Sequence, residues 1–477
     1  MYLDAKYFFS YDLGLIKGGV LSARKTKGIE KTGRWNYFYT LEDQALDPTQ
    51  GQRLFLIYEG RQWTYRQFYD NALRYGQWLK TKHAVVQDEV VALDCMNRPN
   101  FIFIWFGLWS IGAKVAFMNY NLTGAPLLHS VKTSTARLLL VDEEVRDCLT
   151  DQVKQELSSD SFRSTGGAVE VAYFADSLEQ ELADTMPIRE PDAARNGQTA
   201  ISMAMLIYTS GTTGNPKPAF VAWARMLGVS CFVPSWLKLT KEDRFYTCMP
   251  LYHSAGSILG CINSISTGCT LVLGHKFGTK SFWEEVRSSR ATYIQYVGET
   301  CRYLLAAPPS PLDKQNNVKC AFGNGLRQDI WQNFKDRFGI ETINEFYAAT
   351  EGSGSAWNRS RNSLTKGAVG RSGKFARWFT GGTNVLVEHD IETEMPLKDP
   401  KTGFCKRIDF EKPGAPPGEL IAKLPDVKEE QLATFAGYYK DAKATESKIL
   451  RNVFEKGDIY YRTGDMVRIS PEGFVYL

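Results

Sequence analysis

The sequence predicts an α/β fold with mainly parallel sheets and a smaller β-rich part, and three features lead to this fold class. The chain has 477 residues, more than one hydrophobic core usually holds, so two or more domains or subdomains are expected. From about Arg53, apolar strand-like runs alternate with helix-like segments, which is typical of parallel strands joined by crossover helices. Past about Lys366, glycine, proline and short alternating segments predict the β-rich part.

The first α/β run extends to about residue 200. Its predicted strands are 54–58, 90–94, 114–118 and 137–141, and its predicted helices are 64–80, 100–111 and 127–134. The longest apolar stretch is 101–118, but its short length and its glycines favour a buried helix, a turn at Gly112 and a buried strand over a membrane span. The polar stretch 158–199 predicts mostly a surface connection, with a short helix near 178–183.

The second α/β run covers about 203–346, and the β-rich part follows it. Predicted strands of the second run are 203–208, 244–248, 270–273, 293–296 and 318–322, and its predicted helices are 281–289, 299–306 and a segment after His253. Strands at 385–388, 419–423 and 466–469 belong to the β-rich part. The predicted division is an N-terminal segment 1–50, a core 51–365 with subdomains 51–200 and 201–365, and a β-rich subdomain 366–477.

Composition excludes several classes of protein. Hydrophobic residues make up 43% and charged residues 23%, as in an ordinary soluble globular protein, and the net charge of +4 argues against a nucleic-acid binder. The nine cysteines are scattered without a Cys-x-x-Cys pair, which predicts free thiols in a reducing compartment. The five histidines lie far apart, without the spacing of metal ligands.

The first fifty residues are partly apolar and then basic. Five apolar residues precede five basic ones: Leu13, Leu15, Ile16, Val20 and Leu21, then Arg24, Lys25, Lys27, Lys31 and Arg34. Such a segment can contact an anionic membrane peripherally through residues 13–34, or it can wrap the domain as a solvated arm. The apolar positions do not form a clean helical stripe, so both interpretations stay open.

A loop of glycine and hydroxyl residues follows the predicted strand 203–208. It consists of Thr209, Ser210, Gly211, Thr212, Thr213, Gly214, Asn215, Pro216 and Lys217. Its glycines let the backbone approach an anion, its N–H groups and hydroxyls can donate to phosphate oxygens, and Lys217 adds a positive charge. Only two residues separate the glycines, so this is not a Walker loop. The loop predicts a site for the phosphates of ATP.

Four further motifs complete the candidate site. Tyr347, Thr350 and Glu351 offer an aromatic ring for adenine, a hydroxyl for a phosphate and a carboxylate for Mg²⁺. The glycines of the run Gly323, Asn324 and Gly325 permit a flat ligand to lie against the backbone. Asp465 is placed to accept hydrogen bonds from ribose hydroxyls. His253 belongs either near a substrate carboxylate or in a structural wall.

The set of motifs resembles the adenylate-forming, or AMP-binding, superfamily, whose order of motifs it follows. Within it, the chain is most similar to the fungal very-long-chain acyl-CoA synthetases, also called fatty acid transport proteins. The residues that carry this resemblance are "PLYHSAG" at 250–256, "GNGLR" at 323–327, "EFYAATEG" at 345–352 and "VFEKGDIYYRTGD" at 453–465. The resemblance covers nearly the whole chain and implies the large domain of these enzymes, with two α/β subdomains and a barrel-like β-rich subdomain.

The resemblance implies a role for each motif. The loop from Thr209 to Gly214, with Lys217, would hold the β- and γ-phosphates, and Gly323, Asn324, Gly325 and Tyr347 would form the adenine site. Thr350 would contact the α-phosphate, Glu351 would bind Mg²⁺, and Asp465 would hold the ribose. His253 would lie near the carboxylate and the mouth of the acyl tunnel. The implied substrates are ATP, CoA and a fatty acid or related carboxylic acid, and the implied location is an intracellular membrane: the endoplasmic reticulum, a peroxisome or a lipid droplet.

The resemblance also predicts what lies outside this sequence. Members of the family continue past residues 473–477 with a ribose-binding arginine, a hinge and a lid domain that carries a catalytic lysine, and many carry an anchoring segment before the region of Tyr2. Loss of the lid predicts weak adenylation and little CoA ligation. The main hypothesis is therefore a fatty acid–CoA ligase, and the alternative is a catalytically impaired acyl- or nucleotide-binding paralogue. Transfer to a carrier-protein thiol ranks last.

Overall fold

The structure is a computed structural model, and it describes residues 9–209, 214–379 and 382–477. The helices, in chain order, are α1 Phe9–Thr32, α2 Phe38–Leu46, α3 Tyr65–Lys82, α4 Pro99–Ser110, α5 Gly124–Ser134, α6 Asp151–Leu157, α7 Leu178–Glu181, α8 Trp223–Leu237, α9 Asn263–Thr267, α10 Phe282–Ser288, α11 Gly298–Ala306, α12 Gln328–Phe338, α13 Lys374–Phe379, α14 Lys428–Thr434 and α15 Ala442–Glu446. A π-helix spans Ala255–Ile262, directly before α9.

The strands, in chain order, are β1 Leu54–Tyr58, β2 Arg61–Thr64, β3 Val90–Asp94, β4 Lys114–Phe117, β5 Leu138–Asp142, β6 Glu170–Phe174, β7 Met203–Thr209, β8 Lys217–Ala222, β9 Arg244–Thr247, β10 Thr270–Leu273, β11 Tyr293–Val297, β12 Cys320–Asn324, β13 Thr342–Tyr347, β14 Ala356–Ser360, β15 Gly370–Arg371, β16 Asn384–Val387, β17 His389–Asp390, β18 Met395–Pro396, β19 Gly418–Lys423, β20 Ile449–Arg451, β21 Ile459–Ile469 and β22 Phe474–Tyr476.

The described strands form three main sheets. The first sheet has the order β6-β5-β3-β4-β7-β8 and is parallel except for β8. The second has the order β14-β13-β12-β11-β9-β10-β1-β2 and is parallel except for β14 and β2 at its two edges. The third, β15-β22-β21-β19-β16 with β20 beside β21, is antiparallel. The predicted α/β class with mainly parallel sheets is confirmed.

Sheet membership crosses the predicted boundary near residue 200. Strands β1 and β2 lie before it but belong to the second sheet, whereas β7 and β8 lie after it but belong to the first. The third sheet is formed from strands after residue 366, where the β-rich part was expected. The division of the chain into domains stays a prediction.

The apolar stretch 101–118 forms a buried helix and a buried strand, as predicted. Every residue of α4 is buried, and β4 lies inside the first sheet. Gly112 makes the turn between them with a φ of +79°, and a Cβ there would lie 1.8 Å from the carbonyl oxygen of Ala194. Within the described ranges, no helix combines the length and the apolar character that crossing a membrane needs.

Several elements depart from the sequence-based expectation. The stretch 158–199 is not only a surface connection, because β6 pairs with β5 as the outer strand of the first sheet. The sequence did not reveal β8 and α8, which follow the phosphate loop directly. All nine cysteines are unpaired thiols, as predicted. Among the described residues, no group of three or more His, Cys, Asp or Glu side chains is arranged to hold a metal ion.

The N-terminal segment is a helix that packs on the body of the protein. The Asp12 carboxylate of α1 is buried and accepts hydrogen bonds from the backbone N–H groups of Gly373 and Ala376, both at 2.9 Å, at the start of α13. The ring of Tyr11 packs edge-on against Trp236 of α8 at 5.0 Å. Apolar side chains of the same helix remain exposed at Leu13, Val20 and Leu21. The arm therefore wraps the domain, while its membrane contact stays a prediction.

Candidate nucleotide-binding site

The phosphate loop connects two antiparallel strands. Strand β7 ends at Thr209, β8 begins at Lys217, and these two residues are paired in register. The predicted loop residues Ser210, Gly211, Thr212 and Thr213 lie outside the described residues, whereas Gly214 is described. The amino group of Lys217 lies over the ring of Tyr438, 5.6 Å from its centroid. The base of the loop thus directs a cation toward the segment around residue 438.

The segment after β13 brings three predicted residues to the same place. The hydroxyl of Tyr347 donates a 2.5 Å hydrogen bond to the carboxylate of Asp465. The hydroxyl of Thr350 is 2.9 Å from that of Ser254, which follows His253. The hydroxyl of Tyr438 donates a 2.7 Å hydrogen bond to the Glu351 carboxylate. These contacts connect the Tyr347–Glu351 segment to the histidine motif and to the Asp465 motif.

Glu351 fits the metal that the resemblance implies. Its carboxylate is 7% exposed, and one oxygen is fixed by Tyr438. Mg²⁺ is usually held in proteins by one or two carboxylates together with substrate phosphates and water, not by a cage of protein ligands. One buried carboxylate near the base of a phosphate loop agrees with that mode of binding. The hydroxyls of Thr209 and Thr350 are further hard oxygen donors nearby.

The glycine motif lies at the end of β12, beside β13. Gly323 is in register with Glu345, and a Cβ at Gly323 would lie 2.2 Å from the carbonyl oxygen of Tyr296. Only glycine fits there. The Glu345 carboxyl group accepts hydrogen bonds from the Tyr296 hydroxyl at 2.7 Å and from the backbone N–H of Leu326 at 3.0 Å. Because Leu326 follows Gly325, Glu345 fixes the loop that was predicted to face adenine.

His253 lies at the edge of the site. Its side chain is exposed, and desolvation by the neighbouring protein lowers the pKa of its imidazole. Its ring packs on Tyr252, with the centroids 4.3 Å apart. Its carbonyl oxygen accepts a 2.8 Å hydrogen bond from the Ser257 hydroxyl in the π-helix. A lowered pKa favours the neutral imidazole, which can stand near a carboxylate without a strong ion pair.

The structure therefore brings four of the five motifs into one network of direct contacts, and places the glycine motif on the adjacent strand. Two residues of this network did not stand out in the sequence, Tyr438 and Arg225, and the support that Glu345 gives to the glycine loop was not predicted. Arg225 of α8 donates hydrogen bonds to the carbonyl oxygens of Ala349 and Thr434, at 2.7 and 2.9 Å.

Comparison with known families shows to which family the chain belongs. The sequence model of one family, described as AMP-binding enzyme, matches residues 41–429, most of the chain. The chain belongs to the AMP-binding enzyme family. Its relatives include a Cochliobolus heterostrophus "very long-chain fatty acid transport protein", 36% identical over all of this chain and 71% of that protein. The corresponding Saccharomyces cerevisiae protein is 38% identical over 87% of this chain and 61% of its own length, so the chain spans under two thirds of it.

Solved structures of AMP-binding enzymes share the fold. A Mycobacterium tuberculosis fatty acyl CoA synthetase aligns with a TM-score of 0.70 and 18% identity, over 93% of this chain and 78% of that one. The N-terminal domain of FACL13, from the same organism, aligns with a TM-score of 0.69 and 19% identity, over 92% of this chain and 98% of that one. The chain therefore shares its fold with that N-terminal domain and with most of the synthetase.

A large cavity lies between α1, α8, α13 and the third sheet. Its volume is about 1130 Å³, and its wall includes Gly354 and Ser355, three and four residues after Glu351. Its apolar lining comes from α1, α8, strand β14 of the second sheet, and the third sheet with the loop before β19, and includes Leu15, Ile16, Val20, Phe232, Trp357, Ile408, Leu420 and Val475. His253 is not among the residues that line it. The volume of this cavity and its apolar side chains suit an apolar ligand.

Proposed function

We propose that the chain activates a long- or very-long-chain fatty acid, or a related carboxylic acid, by joining it to AMP, and that the acyl group then passes to CoA. The observation that supports this most is the meeting of Lys217 and Glu351 on Tyr438, beside Thr350 and Asp465. A cation, a carboxylate for a metal and a carboxylate for ribose are the groups that ATP-dependent adenylation needs. The family and the fold agree with this chemistry.

In the first step, a carboxylate oxygen of the fatty acid attacks the α-phosphorus of ATP. A P–O bond forms, the bond to the β-phosphate breaks, and pyrophosphate leaves. Lys217 would neutralise charge on the β- and γ-phosphates, Thr350 would donate to the α-phosphate, and Asp465 would orient the ribose. Mg²⁺ held by Glu351 would supply further neutralisation of the phosphate charge. Catalysis here is positioning and electrostatic stabilisation.

In the second step, the CoA sulfur attacks the carbonyl carbon of the acyl adenylate. The C–S bond forms, the bond to AMP oxygen breaks, and the thiol proton is released. The 1130 Å³ cavity would hold the acyl chain, because it is lined by apolar side chains and its wall includes Gly354 and Ser355, which follow Glu351 by three and four residues. The neutral imidazole of His253 would stand near the reacting carboxylate.

Exchange of labelled pyrophosphate into ATP, with a panel of fatty acids of increasing length, tests the first step. We expect Lys217→Ala and Glu351→Ala each to lower exchange by about 100-fold or more, the usual cost of a preorganised charged group. Lys440→Ala is the matched control, because Lys440 lies over the ring of Tyr439 as Lys217 lies over Tyr438. Equal background exchange by wild type and both site variants would instead indicate the catalytically impaired binding paralogue.

We also propose that the protein contacts an anionic membrane surface through α1 and α13. Trp378 and Phe379 of α13 are 76% and 54% exposed, and Leu13 of α1 is 55% exposed. The same two helices carry basic residues at Lys17, Arg24, Lys25, Lys27, Lys31 and Lys374. Exposed aromatic rings beside lysines and arginines are typical of interfacial membrane binding. The same two helices line the large cavity, so a fatty acid would enter it from the lipid.

Sedimentation with vesicles tests this contact. We expect binding to vesicles that contain phosphatidylserine and weak binding to pure phosphatidylcholine, with a loss at high salt. Trp378→Ser with Phe379→Ser should lower vesicle binding by about tenfold or more. Ile391→Ser is the matched control, because Ile391 is 84% exposed on a different part of the surface. Equal loss in the control would show that the effect is not specific to this surface.

A further inference from the structure

Tyr438 connects the two charged groups of the nucleotide site. Its hydroxyl donates to the Glu351 carboxylate at 2.7 Å, and the amino group of Lys217 lies 5.6 Å from its ring centroid. Both Tyr438 and Glu351 are less than a tenth exposed. Lys217 and Glu351 therefore contact the same side chain from different sides of the site, and they do not form a direct ion pair with each other in the described structure.

The backbone around Tyr438 is held firmly on the strand that begins with Lys217. Residue 438 bridges Ala219 of β8, and hydrogen bonds flank it from Phe220 N–H to the Gly437 carbonyl at 3.0 Å and from Tyr439 N–H to the Pro218 carbonyl at 2.8 Å. The N–H of Tyr438 donates to the Thr445 hydroxyl at 2.9 Å. Because three hydrogen bonds fix the main chain, the position of the phenol is set by the fold and not by the side chain alone.

We propose that Tyr438 is a positioning residue of the ATP site, which keeps Lys217 and Glu351 apart and presents Glu351 to Mg²⁺. The inference rests on the proposed function. A lysine meant for phosphate and a glutamate meant for a metal have opposite charges, and a direct ion pair would occupy both. The phenol ring binds the cation by its face, and the phenol hydroxyl binds the carboxylate. Tyr438 then holds each charged group weakly, so that Lys217 can leave the ring for a phosphate and Glu351 can bind Mg²⁺.

A purely structural role for Tyr438 makes a different prediction. If Tyr438 only filled space, its hydroxyl would not affect metal dependence, and Glu351 would have no influence on the effect of removing the ring. The two roles are separated by measuring ATP affinity with and without Mg²⁺, by calorimetry and without any fatty acid, in the full chain. This readout is binding and not turnover.

Three variants form the test. Tyr438→Phe keeps the ring but loses the bond to Glu351, so we expect the gain in ATP affinity on adding Mg²⁺ to fall about tenfold, with Mg²⁺-free affinity unchanged. Tyr438→Leu also loses the ring, so Mg²⁺-free affinity should fall about tenfold as Lys217 pairs with Glu351. Adding Glu351→Gln to Tyr438→Leu should restore Mg²⁺-free affinity, because the competing carboxylate is gone.

Tyr439→Phe is the matched control. Tyr439 is the next residue, and its hydroxyl lies 3.5 Å from that of Thr135, away from Glu351. We expect it to behave as wild type, and thermal unfolding should show that Tyr438→Phe is folded. A wild-type Mg²⁺ response in Tyr438→Phe, or no restoration in the double variant, overturns the role of Tyr438 while ATP binding by wild type preserves the proposed function. Failure of wild type to bind ATP overturns both.

Discussion

Each of the two parallel sheets buries a carboxyl group near the carboxyl ends of its strands, Asp94 in the first and Glu345 in the second, and the two groups are held in opposite ways. In the first sheet, Asp94 is fully buried, and neither carboxyl oxygen has a hydrogen-bond partner among the described residues. In the second, Glu345 is 2% exposed, but one of its oxygens accepts hydrogen bonds from Tyr296 and Leu326. Burial raises the pKa of each group to about 7.

The difference separates the roles of the two sheet edges at which Asp94 and Glu345 lie. Glu345 holds the loop after β12, where the glycine motif lies beside Tyr347. Asp94 instead faces Asp142, the last residue of β5, whose carboxylate pairs with Arg98 at 2.9 Å. The second edge therefore supports a loop that a ligand can meet, and the first edge is closed by a buried cluster of charges. Substitutions at the first edge should change stability, and those at the second should change nucleotide binding.

The largest expected effect is at the first edge, on removing Arg98. This guanidinium is 7% exposed and pairs with Asp142 and Asp176, both at 2.9 Å, and with Glu144. Arg98→Met keeps the apolar stem but leaves Asp142 buried without its partner. We expect the free energy of unfolding to fall by about 3–5 kcal/mol, measured by urea denaturation.

Arg66→Met is the control for Arg98→Met. Arg66 pairs with Asp70 at 3.1 Å on the surface, where the arginine side chain is 48% exposed, so about 0.5 kcal/mol or less should be lost. ATP affinity, measured at a temperature where both variants are folded, should equal that of wild type. A large loss of ATP affinity in Arg98→Met would place the first edge in the nucleotide site and break the comparison.

The second prediction concerns the pH dependence that Asp94 gives to stability. A carboxyl group with a raised folded pKa stabilises the fold below its unfolded pKa and loses that contribution as pH rises through the folded pKa. For Asp94 the window runs from 3.8 to about 7. Asp94→Asn stays neutral, so its stability advantage over wild type should grow from pH 5 to pH 8 and reach the order of a few kcal/mol. A pH-independent difference would show that Asp94 is already charged at pH 5.

Local patterns predicted the parts of this fold that local forces decide. The helix and strand of the 101–118 stretch could be predicted from its apolar residues and the turn at Gly112. The motifs could be recognised from short strings such as Tyr347–Glu351. Strand β8 was not predicted because its pairing with β7 depends on the loop between them and not on alternation within 217–222. The helix α8 was hidden by its internal Pro234, which normally argues against a helix.

The contacts between motifs could not be read from the sequence. Tyr438 is 87 residues from Glu351 along the chain, and Asp465 is 118 residues from Tyr347. Nothing near Tyr438 in the sequence specifies a carboxylate partner, since that partner is set by the bridge from residue 438 to β8. Glu345 is similar: it stands in a buried strand, and only the position of Tyr296 and Leu326 shows that it supports a loop.

The smallest expected effect on stability is at Glu345, and it separates charge from hydrogen bonding. The bonds from Tyr296 and Leu326 lower the pKa of Glu345 and offset part of the rise due to burial, so its window, from 4.5 to about 7, is narrower than that of Asp94. Between pH 4 and pH 8 the advantage of Glu345→Gln over wild type should therefore be smaller than that of Asp94→Asn but still on the order of a few kcal/mol, measured by urea denaturation. Its amide oxygen can accept the same two hydrogen bonds.

ATP affinity then decides what Glu345 contributes to the second edge. Glu345→Gln should bind ATP within about twofold of wild type, because the loop at Leu326 keeps its acceptor. Glu345→Leu, which has a similar volume and no acceptor, should bind about tenfold more weakly because the Leu326 N–H of the loop loses its acceptor. If the two variants were equally weak, the negative charge of Glu345 and not its hydrogen bonds would matter. Asp94 and Glu345 would then both act through their charge. The two edges would differ only because the second lies beside the predicted nucleotide site.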